Sequence, residues 1–216
     1  MRIRAFRGLV PVPDDAAEVA CVPYDVVDAA AAAVLAGGRP RSLLHVDRAE
    51  IDLPPGTDPY SGAVYTRARE NFFQLQRDGV LVRESEPCLY VYQQQMGSHR
   101  QRGIVLVCHV EDYDAGLIKR NEKTRRDKEE DRTRLIDTLS ANTGPVFLTY
   151  RDNPVVTTLV EAKTREQPQH DFTAPDGIRH TAWRVAGGAE LVQGLVPPSL
   201  GLLIQGAGVA AGEGLE

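Results

Sequence analysis

The sequence predicts an α+β fold of mixed α/β character, an irregularly interleaved mixed sheet with flanking helices. Three observations carry that expectation. Strand-like and helix-like patterns follow one another without a regular βαβ repeat. Two runs, CLYVYQQQ at 88–95 and GIVLVCHV at 103–110, have strand character. Between 60 and 78, Val64, Ala68, Phe72 and Leu75 recur at spacings of three and four, one face of an amphipathic helix.

Taken in order, the first 25 residues are loop-rich, because Pro11, Pro13 and Pro23 limit regular structure. Residues 26–35 are alanine-rich and predict a helix, with Asp25 or Asp28 near its start and Gly37-Gly38 ending it. Ser42 to Val46 (SLLHV) reads as a short strand. Residues 50–59 hold three prolines and a glycine and read as an irregular loop. The helix at 60–78 follows, closed by Gly79. In 88–95 Leu89 and Val91 fall on one side and Tyr90 and Tyr92 on the other. The apolar run 103–110 reads as one strand covered on both faces, with 96–102 as the connecting hairpin. A charged loop then leads into a helix ending near Ala141. Val146 to Tyr150 predicts a strand, and Pro154 to Arg165 a helix opened by Asn153 and Pro154. Two strands, 170–172 and 179–185, flank the turn Ala174-Pro175-Asp176-Gly177.

Residues 1–185 are expected to form one domain. Residues 186–216 contain eight glycines and read as a poorly ordered or truncated tail. No run of about 18 apolar residues is present, so no membrane span is expected. Cys21, Cys88 and Cys108 are odd in number and lack metal-ligand spacing, which suits reduced thiols in a cytoplasmic protein.

The formal net charge is -5, from 25 Lys+Arg and 30 Asp+Glu. With no helix-turn-helix pattern, that charge argues against nucleic acid as a partner. The average hides one cationic stretch. Residues 119–134, KRNEKTRRDKEEDRTR, carry eight basic and five acidic side chains, so this stretch is +3 and the rest is -8. It has two readings. Glu122–Arg126 and Glu130–Arg134 are i,i+4 pairs of a solvated helix face, with Leu135, Ile136 and Leu139 supplying a buried stripe. Alternatively, Arg and Lys clamp an anion near a helix start while carboxylates hold a divalent cation or act as a base. Two other candidates are the turn Tyr24-Asp25, where Asp25 is otherwise a helix cap, and His45, otherwise a hydrogen-bonded core residue. His99, His109, His170 and His180 are scattered, and no Walker loop, dinucleotide fingerprint or nucleophile elbow is present.

The motifs together resemble a bacterial and archaeal family, domain of unknown function 1015. The residues that carry the resemblance are FRGL at 6–9, VPYDVV at 22–27, SLLHV at 42–46, DPY at 58–60, DGVLVR at 78–83 and LYVYQQ at 89–94. They continue with EDY at 111–113, EKTRRDKEEDRTRLID at 122–137, GPVFLTY at 144–150 and HTAWRV at 180–185. The resemblance covers roughly residues 3 to 185. It implies a relation to ParB/sulfiredoxin-type kinases that phosphorylate free serine. Pyrophosphate or a nucleotide is the implied donor, and Mg²⁺ the implied cofactor.

Carried onto this chain, the resemblance implies Glu122, Asp131 and Asp25 as catalytic carboxylates. Arg7, Tyr24, His45, Thr124, Arg126, Lys128 and Arg132 would bind substrate or phosphate, and Glu129 would contact Mg²⁺. A homo-oligomer is compatible with it. Two departures bear on activity. The family's His-Glu-x-Thr reads Asn121-Glu122-Lys123-Thr124 here, and Asn cannot exchange a proton as imidazole does. The Gly-His-His-Arg signature expected after HTAWRV is replaced by Gln205-Gly206-Ala207-Gly208-Val209, and the chain has about half the family's usual length. The alternative expectation is therefore a non-catalytic anion- or ligand-binding module, or a pseudoenzyme fragment.

Overall fold

The computed structural model describes residues 2–119, 125–187 and 202–206. In chain order the elements are β1 (Ile3–Arg4), β2 (Leu9–Pro11), α1 (Ala16–Val19), α2 (Ala29–Ala36), α3 (Leu44–Asp47) and α4 (Gly62–Arg77). Then come β3 (Leu81–Arg83), β4 (Cys88–Met96), β5 (His99–Val105), β6 (Val107–Cys108), α5 (Val110–Asp114) and β7 (Ile118–Lys119). The last are α6 (Arg126–Leu139), β8 (Val146–Thr149), α7 (Pro154–Lys163), β9 (His170–Thr173), β10 (Arg179–Ala186) and β11 (Leu202–Gly206). The class is α+β. The chain divides into two compact units.

One unit draws on Met1–Gly8, Arg83–Lys123 and Val146–Ala207. Its centre is an antiparallel sheet in the order β5-β4-β10-β9. All of β10 pairs with residues 88–95 of β4, with Trp183 opposite Val91. Ile3, Val91, Val156, Val160 and Trp183 form its core, so α7 packs its Val156/Val160 edge on the sheet. Asn153 caps that helix by accepting hydrogen bonds from the backbone N–H groups of Val155 and Val156. The β4–β5 hairpin closes through Gly97-Ser98, and Gly97 adopts φ 58, a left-handed value that glycine meets without strain. A smaller sheet has the order β7-β11-β8, with β11 parallel to β7 and antiparallel to β8. Thus residues 202–206 of the glycine-rich tail form a strand; the remainder of 188–216 lies outside the described residues.

The other unit contains Leu9–Val82 and Thr124–Pro145. β2 pairs with β3, and α3, α4 and α6 pack on one another. Its core includes Val46 from α3, Val64, Tyr65, Ala68, Phe72 and Leu75 from α4, and Leu135 and Leu139 from α6. The four positions predicted to face inward in 60–78 are all buried. Asp28, rather than Asp25, caps α2: its Oδ1 accepts from the Ala31 N–H at 2.8 Å.

Two expectations are corrected. Ser42–Val46 is not a strand; the chain turns there and enters α3 at Leu44. A five-residue apolar run is ambiguous between strand and helix. Here the helical turn sends Leu43 and Val46 into the α4–α6 core and Leu44 into a separate cluster with Ala32 and Ala36. The run 103–110 is likewise not one covered strand. β5 begins already at His99 and ends at Val105, β6 changes partner to β1, and Val110 opens α5. β5 is an edge strand of its sheet, and 103–108 are only partly buried.

Candidate functional site

The inner face of α6 carries Lys128, Asp131, Arg132 and Leu135, the spacing that one side of a helix presents to its neighbours. With residues of α3, α4 and the loops beside them, they line a cavity of about 190 Å³. Asp131 is buried and uses both carboxylate oxygens. Its Oδ1 accepts the Tyr65 hydroxyl at 2.7 Å, and its Oδ2 accepts Arg132 Nε at 2.9 Å and Nη2 at 2.6 Å. The Arg132 guanidinium lies 4.0 Å from the centre of the Tyr24 ring, and Lys128 Nζ is 6.0 Å from the same centre. Arg132 is thus stacked over the Tyr24 ring, and Lys128 reaches the outer range of a cation–π contact with the same ring. Burial, and then the bond to Asp131, push the Tyr65 phenol up from its ordinary value.

Asp47 brings a second carboxylate to the cavity from the end of α3. Its Oδ1 accepts the Thr143 hydroxyl and lies 3.7 Å from Arg132 Nη1. Burial pushes its carboxyl up to about 6; the Thr143 hydrogen bond and Arg132 oppose the shift, and Asp131 adds to it. Arg48 and Glu50 line the same cavity as an ion pair, Nε to Oε1 at 2.9 Å. The pair is out of hydrogen-bond alignment, and both atoms are buried without another partner.

A family model described as "Protein of unknown function (DUF1015)" matches residues 3–194, most of the chain. The chain belongs to the DUF1015 family. No curated protein and no solved structure matches it. All residues lining the cavity, from Val46 to Leu135, fall inside the DUF1015 match.

Within this DUF1015 chain, the structure brings Tyr24, Lys128, Asp131 and Arg132 together. His45 lies on the same short helix as Asp47 but turns elsewhere. Its Nδ1 is 2.7 Å from Asp52 Oδ1, and Asn71 Nδ2 donates to both the His45 carbonyl and Asp52 Oδ2, each at 2.7 Å. Asp25 is exposed in the turn after Tyr24. Arg126 and Glu129 lie on the outward face of α6, where the exposed Arg126 pairs with Glu130 at 2.8 Å. Arg7 belongs to the other unit, where its Nε donates to the Glu84 carbonyl at 2.9 Å. Glu122 and Thr124 lie outside the described residues.

The sequence reading passed over Asp47, Arg48, Glu50, Tyr65 and Thr143. The first lies one residue beyond Ser42–Val46, the segment that reads as a strand and folds as the start of α3. In a strand, residues two apart share a face, so His45 and Asp47 would point the same way. In a helix they are turned roughly 200° apart. The signal that separates them is the helical turn itself. For the implied Mg²⁺, no three of His, Cys, Asp or Glu among the described residues converge as a ligand set. Glu129 faces outward, and Asp131 has both oxygens engaged. The described residues therefore do not form a resident metal site.

Proposed function

We propose that this protein transfers a phosphoryl group from pyrophosphate or a nucleotide to free serine or a similar small hydroxyl compound, in the cytoplasm. The observation that carries this reading is one cavity in which Arg48, Lys128 and Arg132 stand beside the buried carboxylates Asp47 and Asp131. Phosphoryl transfer needs fixed positive charge around the moving group and a proton acceptor for the attacking hydroxyl. Both kinds of group line this cavity. At about 190 Å³ it is smaller than the roughly 300 Å³ at which drug-sized ligand pockets begin, which suits a small substrate. Mg²⁺ would enter coordinated to the donor's phosphates, the usual way that ion is held.

The test incubates the full chain with serine and either pyrophosphate or ATP plus Mg²⁺ and follows phosphoserine by ³¹P NMR. Phosphoserine formation is expected with one of the donors, and at least tenfold less from Arg132→Ala. A folded wild-type chain that makes no product with either donor refutes the reading. One observation favours a second reading, a ligand-binding module without turnover: Asn121 stands where the resemblance expects a histidine. Calorimetric binding of pyrophosphate without product would be its signature.

A further inference from the structure

The two carboxylates of the cavity are not equivalent. Asp131 is heavily engaged: Tyr65 donates to one oxygen and Arg132 donates twice to the other. Of its roughly four acceptor sites only about one is left for a proton. Asp47 is buried as deeply but differently held. One hydroxyl, from Thr143, donates to its Oδ1, and the nearest guanidinium nitrogen stands 3.7 Å from that same oxygen. No described residue donates to its Oδ2.

We propose that Asp47, rather than Asp131, is the proton acceptor of the site, with Thr143 as its positioning residue and Asp131 as the anchor that holds Arg132 against Tyr24. This inference rests on the phosphoryl-transfer reading. In the step it implies, the substrate oxygen uses an electron pair to form the new P–O bond. Its O–H bond breaks and the proton passes to Asp47 Oδ2. The P–O bond to the leaving group, phosphate from pyrophosphate or a nucleoside diphosphate from a nucleoside triphosphate, breaks, and its electron pair leaves with that group. The cations Lys128 and Arg132 face the phosphoryl group, and Asp47 supplies the group that they lack.

The surroundings suit this role. Lys128, Asp131 and Arg132 of α6 and Tyr65 of α4 line the same cavity as Asp47, with Arg132 at 3.7 Å from it. Cys21 and Tyr24 feel its charge from the segment before α2. Just beyond the end of α3 it is followed by the paired Arg48 and Glu50. Burial is the largest influence on its carboxyl, which titrates at about 6, low enough to be charged at neutral pH and basic enough to accept a proton.

The test measures kcat and kcat/KM from pH 5 to 9 and pyrophosphate affinity by calorimetry for the wild type, Asp47→Asn, Thr143→Val and Asp131→Asn. Wild-type kcat/KM should rise through an acid limb near pH 6. Asp47→Asn should lose at least about 100-fold in kcat, together with that limb, while pyrophosphate affinity changes less than threefold. Thr143→Val removes the hydroxyl that favours the charged carboxylate, so it should move the limb to higher pH and lower turnover over the pH range of that limb. Asp131→Asn should weaken pyrophosphate binding and keep the limb.

An Asp47→Asn chain that keeps the limb and most of its kcat overturns the proposal, as does an Asp131→Asn chain that alone loses the limb. If Asp47→Asn does not fold, a limb unmoved in Thr143→Val overturns it by itself. A wild-type chain without turnover sinks the phosphoryl-transfer reading and this proposal with it. Turnover whose limb ignores Asp47 sinks this proposal alone.

Discussion

Asp47 and Asp131 line one cavity, yet hydrogen bonding gives them different work. Asp131 uses both oxygens to fix Tyr65 and Arg132. Asp47 has a single hydroxyl donor and deep burial, which moves its carboxyl from the ordinary 3.8 to about 6. That shift has a sign. The folded chain keeps a proton that the unfolded chain releases, so the contribution is fully present below pH 3.8 and is lost as pH rises through about 6. Denaturant unfolding of the wild type against Asp47→Asn, from pH 4 to 7, should show the wild type losing on the order of 2 kcal/mol relative to the variant. A difference that stays constant over that range contradicts the assignment. The three cysteines are free, and burial pushes Cys21 up to about 12 and Cys108 up to about 11, so neither is a ready thiolate.

Among the elements, those with a long pattern were legible. α4 buried the four positions that its spacing predicted, and β4 and β10 appear within a residue or two of their expected bounds. α7 begins at the Asn153-Pro154 signal. Because Asn153 satisfies two backbone N–H groups of that helix, Asn153→Ala should cost about 1 kcal/mol in a chemical denaturation curve. A change below a few tenths would mean that packing of Val156 and Val160 alone sets the helix start. The short elements were not legible, for a physical reason. Leu43, Leu44 and Val46 are buried against two separate clusters, and tertiary packing of that kind overrides a five-residue pattern. The helical turn at Leu44 also sets His45 and Asp47 on different sides of the chain. On α6 the inward Lys128, Asp131 and Arg132 and the outward Arg126 and Glu129 sit together in sequence, and only their position around the helix distinguishes them.

For the whole molecule, the average charge of -5 conceals where cations are held. One face of α6 is solvated and ion-paired and the other lines the cavity, but Glu130 pairs with Arg126 rather than Arg134, and Ile136, expected in the buried stripe with Leu135 and Leu139, is exposed. No described helix is long and apolar enough to cross a membrane. The central claim is that this cavity is the phosphate site. Lys128 tests it most directly, because it lines the cavity and forms no ion pair among the described residues, so its removal leaves no described partner charge unmatched. Pyrophosphate should be titrated into the wild type and Lys128→Ala by calorimetry at low ionic strength. Saturable binding by the wild type, weakened at least tenfold in the variant, is the predicted result. Equal affinity in the two chains, or no binding by the wild type, would contradict it.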